Sequence, residues 1–514
     1  LKRLAMSAPH EKLADSLRVL QQAESDGRTV FQSTAFSRTH RERLVSNGFL
    51  REVVKGWYMV SNPAEKNGET TGWYASFFTF VAAYCNERFG SDWHLSPEAS
   101  LAVYAGSTAI PSQVLVYAKA GKNNKLPLQH GTSIFDYKTP AMPAPSDIAV
   151  VHGLRLLTLP LALVKATPTL FVEKALDMQV ALSQISDVSD VLSKLLDGGQ
   201  SVVAGRIAGA FRAAGRAEDA DRIVNTLKLS GYSVNEQNPF AKPILSDIPT
   251  AEGPCSARIR LMWADMREAI ISAFPPAPGL PTNIEAYLAD VDDRHIEDSY
   301  HSLSIEGYQV SEELIAKIAS GSWNPGDNKQ DKQDRNALAA KGYHLAFGQV
   351  RASVSKILEG AEPGTVIQKA HHDWYMHLFS PSVGAGLLEA KHLAGYRSWP
   401  VFIRNARHVP PSMESVREAM PTLFKLISSE PEASVRAVLG HFIFVYIHPY
   451  GDGNGRIGRF LMNTMLASGG YPWTIVRVTT RDEYMNALEE ASVKGNIQPF
   501  AELIGNCVGK QLAL

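Results

Sequence analysis

The sequence predicts a multidomain, mainly α-helical protein, on three observations. Its 514 residues suffice for roughly two to four full-sized cores. Proline-rich stretches at 239–254 (PFAKPILSDIPTAEGP) and 275–281 (PPAPGLP) resist regular structure and divide the chain. Beyond them, apolar runs such as Val438–Ile447 (VLGHFIFVYI) are apolar on most faces and long enough for buried helices.

Composition narrows the class. Hydrophobic residues make up 45% and charged residues 20%, the balance of an ordinary globular protein, and a net charge of −1 excludes a globally basic nucleic-acid binder. Cys85, Cys255 and Cys507 lie far apart, indicating free thiols rather than a disulfide framework or a zinc site. No apolar run reaches the roughly 18 to 20 residues that cross a bilayer, so no membrane partner is expected. The first residues lack the layout of a signal peptide, and the expected location is cytoplasmic. Position 1 is Leu, which fits a front that lacks a few native residues.

The first 62 residues have their own organisation. Lys12–Gln22 reads as an amphipathic helix, Ser33–Phe36 as a short second one, and Ser37–Ser46 as a third capped by Ser37. Leu50–Val60 alternates and breaks at Lys55–Gly56, the pattern of a hairpin. Three helices and a hairpin make a winged helix-turn-helix, assigned to residues 1–62. Arg38, His40, Arg41 and Arg43 on the third helix, with Arg51 and Lys55 on the hairpin, outweigh Glu42 and Glu52. That surplus suits phosphates and base edges, although small winged helices also serve as protein-docking modules.

The order VFQSTAFSRTHRERLVSNGFLREVVKGWYMV resembles the N-terminal domain of the type IV abortive-infection antitoxins. A weaker likeness runs through about residue 235, including His94–Pro97 and Gly131–Phe135. The resemblance implies promoter DNA as a partner and a mixed α/β middle domain at 63–238, and it carries no catalytic residues. Within that region Gly205-x-x-x-Gly209 reads as close packing in a soluble helix, since Arg206 and Arg212 flank it. Residues 239–282 are assigned to a linker containing one helix-like segment, Cys255–Phe274, able to pack against either neighbour.

The chemistry is concentrated in His448–Arg459, HPYGDGNGRIGR. Pro449 and Gly451 end the preceding helix, and a second helical pattern resumes at Phe460. His448 is the side chain whose ordinary pKa lies near neutrality and which can accept a proton from an attacking hydroxyl. Asp452 is a hard oxygen ligand suited to Mg²⁺. Gly453 and Gly455 expose backbone N–H groups at a helix start, a ready anion site. Asn454 orients the loop or donates to an oxyanion, and Arg456 and Arg459 share a helix face from which they can fork onto phosphates.

This loop resembles the Fic family signature His-Pro-Phe-x-Asp/Glu-Gly-Asn-Gly-Arg-x-x-Arg, with Tyr450 in place of the usual Phe. The resemblance extends over residues 283–514 and implies an all-α core with a β-hairpin flap. It implies transfer of AMP from Mg-ATP to a hydroxyl side chain of a target protein. His448 would be the general base, Asp452 the Mg²⁺ ligand, Gly453, Asn454 and Gly455 the phosphate cradle, and Arg456 and Arg459 the ligands of the β- and γ-phosphates. Related kinases of the Doc type carry Lys where Gly455 stands, so Gly455 favours nucleotidyl transfer.

Two further segments fit the resemblance. Pro400–Arg404 alternates between turn residues, and residues 395–411 would form the flap that docks the target. Ser302-Leu-Ser-Ile-Glu306-Gly307 matches the family's inhibitory pattern, as does Ser355–Gly360; the helix that Tyr308–Ile318 opens, with a Ser cap and an acidic first turn, favours Glu306. Glu306 would then pair with Arg459. Asp290–Glu297 and the histidines 371, 372, 377 and 441 read as solvated or structural. Two functions stay open: an AMP transferase restrained by Glu306, or a promoter-binding regulator whose Fic domain is weak or sensing. Use of another nucleotide, or AMP removal, also stays open, as does relief of inhibition through a homo-oligomer.

Overall fold

The computed structural model describes residues 9–25, 27–64, 69–245, 249, 252–323 and 334–513. The proline-rich stretch at 239–254 lies partly outside them. The chain divides into two compact units, Leu1–Ala251 with Phe402–Val409, and Glu252–Val401 with Pro410–Leu514.

The first unit opens with the helix Pro9–Ala23, the strand Val30–Gln32, a 3-10 turn at Ser33–Ala35 and the helix Arg38–Ser46. The Ser37 hydroxyl accepts from the His40 amide and caps that last helix. Strands Leu50–Val54 and Trp57–Val60 turn at Gly56, whose φ of +84° suits glycine. With Val30–Gln32 they form a three-stranded antiparallel sheet in which Trp57–Val60 is central. Leu20, Phe31, Phe36, Leu44 and Leu50 form the core of this module. The segment expected as a second helix is one 3-10 turn, because the strand before it takes residues 30–32 into the sheet.

The rest of this unit mixes helices and strands. The helix Thr71–Phe89 packs its aromatic face on a four-stranded sheet ordered Trp93–Leu95, Val114–Ala118, Ser133–Lys138, Asn124–Pro127. A two-stranded hairpin, Ile148–Val151 with Leu154–Leu157, and a helical layer from Leu159 to Leu229 follow. In the helix Ser201–Ala213, a Cβ on Gly205 or Gly209 would run into the Asn235 or Gln237 carbonyl, so these small residues admit a crossing backbone segment.

Pro400–Arg404 forms no strand. A turn at Arg404–Asn405, with Asn405 at φ +60°, interrupts the alternation. The following backbone bonds elsewhere: Ile110 N–H donates to Arg407 O at 2.9 Å and Val409 N–H to Thr108 O at 2.8 Å, flanking a single bridge between Ala109 and His408. A hairpin partner for 400–404 is therefore lacking within 395–411, since those backbone groups are already used.

The second unit is helical. The helix Pro254–Ala273, expected within the linker, packs against Met413–Ser429, Ala433–Ile447 and Gln498–Leu512, so it is part of this unit's core. At the centre lie Ala433–Ile447 and Asn454–Ala467; every residue of the latter except Gly455 is buried. Around them stand Ile284–Asp293, His295–Ile305, Glu312–Ala319, Arg335–Leu358 and Pro363–Gly384. Among the described residues no helix is long and apolar enough to cross a membrane.

Candidate active site

Two buried helices end and begin at one loop. His448 caps Ala433–Ile447 in the left-handed region (φ 54°, ψ 59°), and Gly453 (φ 80°) precedes Asn454–Ala467. A Cβ on Gly453 would come within 2.8 Å of the Phe379 ring, so conformation and space both require glycine. Asn454 ties the loop to itself: its Oδ1 accepts from Tyr450 N–H at 2.9 Å and its Nδ2 donates to Tyr450 O at 2.8 Å. Asn454 thus braces the loop, and the backbone N–H groups of the helix's first turn stand beside it, free of intrahelical partners. The Tyr450 ring stacks on Tyr375 at 3.9 Å.

Arg397, unmarked by any motif, holds the loop from beneath. Only 2% exposed, it donates Nε–H to His448 O at 2.8 Å and Nη–H groups to the carbonyls of Trp399, Ile447 and Pro411, while its own N–H donates to Pro449 O at 2.9 Å. The His448 ring donates Nδ1–H to Val445 O at 3.1 Å, leaving the lone pair on Nε2. Burial, with the nearby Arg397 charge adding to it, lowers its pKa from 6.5 to about 4. At neutral pH the imidazole is an uncharged acceptor.

The charged groups differ sharply in exposure. The Asp452 side chain is 58% exposed; its Oδ1 accepts from Gly453 N–H at 2.6 Å and from Arg456 Nη2 at 3.3 Å. Arg456 is 1% exposed, lies between the rings of Tyr308 and Phe379, each centroid 5.1 Å from its Cζ, and leaves Nε without a hydrogen-bond partner. Arg459, 3% exposed, donates Nε–H to Ser302 Oγ at 2.8 Å and Nη2–H to Ser302 O at 3.0 Å and Glu306 Oε1 at 2.7 Å; its Nη1 has no partner. Two buried guanidiniums, each with one unpartnered donor, lie beside a helix N-terminus, an arrangement chemically suited to receiving an anion.

Ser302 and Glu306 come from the end of His295–Ile305, and Gly307 (φ +88°) turns the chain back. The competing match behaves differently: Glu359 Oε1 accepts from Ser355 Oγ at 2.7 Å where the helix Arg335–Leu358 ends. Below Arg459, Asp298 accepts from the Tyr343 hydroxyl at 2.7 Å, and burial pushes its carboxyl up to about 6. His441 Nε2 bonds the Tyr484 hydroxyl at 2.7 Å, a buried structural pair. Among the described residues no three His, Cys, Asp or Glu side chains converge as a metal cage. Asp452 offers one hard oxygen ligand at an open position, which suits Mg²⁺, an ion that keeps several waters and takes its remaining ligands from phosphates.

The residues expected to contact DNA lie in the other unit and are largely engaged there. Arg43 Nη1 donates to Lys12 O at 2.8 Å and Ser16 Oγ at 2.9 Å, His40 Nδ1 shares a hydrogen bond with Ser16 Oγ at 2.9 Å, and Arg41 Nη1 donates to Ser33 O at 2.8 Å. These three side chains lock the helix Arg38–Ser46 to its neighbours rather than standing free as a basic face. Arg38, paired with Glu42 at 2.7 Å, and Lys55 are exposed.

Comparison with known proteins agrees on the C-terminal part. Residues 366–466 match the Fic/DOC family. A protein adenylyltransferase Fic of Nematostella vectensis is 38% identical over 121 residues, covering 23% of this chain and 28% of the relative. A protein of the same name from Drosophila ananassae is 39% identical over 111 residues, covering 21% and 22%. The matches thus span between 22% and 28% of these relatives' length. The solved Fic-1 structure from C. elegans covers 66% of this chain and 86% of its own at 18% identity, with a TM-score of 0.37, too low to bear on the architecture. Residues 366–466 thus match the Fic/DOC family, and this stretch is similar in sequence to proteins named adenylyltransferase Fic.

Proposed function

We propose that this protein transfers AMP from ATP to a hydroxyl side chain of a target protein, and that Glu306 holds the site off at rest. The observation that carries the reading is the pairing of the buried Arg459 with Glu306 at 2.7 Å, beside an otherwise intact loop of base, anion site and second arginine. His448 Nε2 takes the proton of the target hydroxyl as its oxygen attacks the α-phosphorus; a P–O bond forms to the target and pyrophosphate leaves. Arg456 and Arg459 hold the β- and γ-phosphates, and the helix N-terminus binds the anionic oxygens. Mg²⁺ on Asp452, when bound, supplies charge neutralisation at the polyphosphate. With Glu306 in place, Arg459 is unavailable for the γ-phosphate. The target docks along residues 395–411.

The first unit then supplies location. Its winged helix, contacting promoter DNA through Arg38, Lys55 and the outer edge of the helix Arg38–Ser46, would bring the transferase to a DNA-bound target. The three-stranded sheet and the Ser37-capped helix support this part of the proposal.

The test compares the native protein, Glu306→Gly and His448→Ala in bacterial lysate with ATP labelled at the α- or the γ-phosphate. Label from the α position alone, raised in Glu306→Gly and lost in His448→Ala, is the expected result. Label from the γ position would make the protein a kinase. No label from either would return the weight to a regulator or to another nucleotide.

A further inference from the structure

The residue after the inhibitory pattern engages the other arginine. The helix His295–Ile305 ends in a tight C-cap: Glu306 N–H and Tyr308 N–H both donate to Leu303 O, each at 3.1 Å, and Gly307 N–H donates to Ser304 O at 3.0 Å. The left-handed Gly307 folds Tyr308 back over the start of the helix Asn454–Ala467. There its ring faces the Arg456 guanidinium at 5.1 Å, with Phe379 on the opposite side at the same distance. Arg335 approaches the Tyr308 ring at 5.7 Å, and Gln309 N–H donates to Asn336 Oδ1 at 3.1 Å, so the segment is pinned beside the N-terminus of Arg335–Leu358.

Arg456 is 1% exposed, and its Nε is buried without a partner. Phe379 belongs to a core helix, Pro363–Gly384, whereas Tyr308 belongs to the segment that also carries Glu306. We infer that Tyr308 is the second contact of a two-point lock: Glu306 occupies Arg459 by charge while the Tyr308 ring caps Arg456, and the single C-cap at Gly307 makes the two contacts form and release together. The inference rests on the restrained-transferase reading for its consequence, but its physical content is nucleotide access to Arg456. The attraction is that of a cation for an aromatic face, so the ring matters and the hydroxyl does not.

The experiment measures equilibrium binding of ATP with Mg²⁺, and in parallel α-phosphate labelling, for the full chain and for Tyr308→Phe, Tyr308→Leu, Glu306→Gly and Tyr308→Leu/Glu306→Gly. Tyr308→Phe should match the native protein. Tyr308→Leu, which keeps bulk and loses the ring, should tighten ATP roughly fivefold. The double variant should bind no more tightly than Glu306→Gly alone, because one release frees both arginines. An ATP affinity in Tyr308→Leu equal to native overturns the lock, as does a Phe variant that behaves like Leu. If ATP tightens as expected but no variant labels protein, the lock stands and the transfer reading falls. If Glu306→Gly labels and Tyr308→Leu leaves ATP affinity unchanged, the transfer reading stands and the lock falls.

Discussion

Gly455 and Glu306 occupy adjoining space so closely that a Cβ on Gly455 would collide with Glu306 Oε1 and sit 3.3 Å from Arg459 Nη1. Glycine at this position therefore does two things: it opens the helix N-terminus to anions and leaves room for the carboxylate that occupies Arg459. Gly455→Ala should displace Glu306 and cost on the order of 1–3 kcal/mol of stability. In a Glu306→Gly background the same change should cost clearly less. Urea denaturation of the four proteins in that cycle measures the difference, and equal costs in both backgrounds would remove the steric relationship.

His448 carries a pKa of about 4, below the ordinary 6.5, chiefly through burial. If its neutral form is the base, the acid limb of transfer by the Glu306→Gly protein should lie at or below about pH 4, since Glu306 itself raises the His448 value, and so well below that of a solvent-exposed histidine. A limb at 6.5 would mean that the ring is solvated when it works. The profile is measured as rate against pH at saturating ATP.

Arg397→Ala removes the donors that hold the carbonyls of His448, Trp399, Ile447 and Pro411. Leaving such buried acceptors unpaired should cost roughly 3 kcal/mol or more, seen as a lower denaturation midpoint, and should lower kcat more than it raises KM. Arg397→Lys should rescue little, since one ammonium cannot reproduce the planar fork.

Stability should fall with acid. Burial holds His295, His371 and His448 at about 4 and His441 at about 3, against an ordinary 6.5. The unfolded chain thus binds more protons than the folded one as pH drops below 6.5. The stability these groups contribute is complete above 6.5 and is lost as pH falls through their folded values. Asp298, raised to about 6 from 3.8, acts in the opposite sense and is favourable at low pH. Four groups against one predict a melting temperature several degrees lower at pH 4.5 than at pH 7, with a flatter slope in His441→Gln.

Arg43→Ala should destabilise the N-terminal module by about 1 kcal/mol, because it loses its bonds to Lys12 O and Ser16 Oγ. Promoter affinity should respond more to Arg38→Ala/Lys55→Ala, with a shallower dependence on salt. Fluorescence anisotropy with promoter DNA at several salt concentrations separates the two effects, and unchanged affinity in the second variant would move this module to protein docking.

Several features were legible because a local rule governs them. Ser37 and Ser311 read as caps and are caps, since a hydroxyl before a helix satisfies an amide within three residues. The turn at Gly56 followed from alternation and a residue tolerant of positive φ. Pro400–Arg404 alternates equally well yet forms no strand, because a strand needs a partner and the nearby backbone groups had bonded to residues 108–110. The positive charge of Arg41 and Arg43 is plain in the sequence, whereas only the fold brings Arg41 to Ser33 O in the 3-10 turn and Arg43 to Ser16 Oγ on the helix Pro9–Ala23.

From its order of residues alone this chain specifies the loop His448–Arg459, with its base, carboxylate, glycines and arginines, because twelve consecutive residues sit together however the remainder folds. Tertiary structure alone decides what each of them meets. Glu306 reaches Arg459 across 153 positions, Arg397 supports His448 across 51, and Tyr308 and Phe379 enclose Arg456. Those contacts depend on how buried helices stack, and close packing sets the direction and protonation of every charged group placed between them.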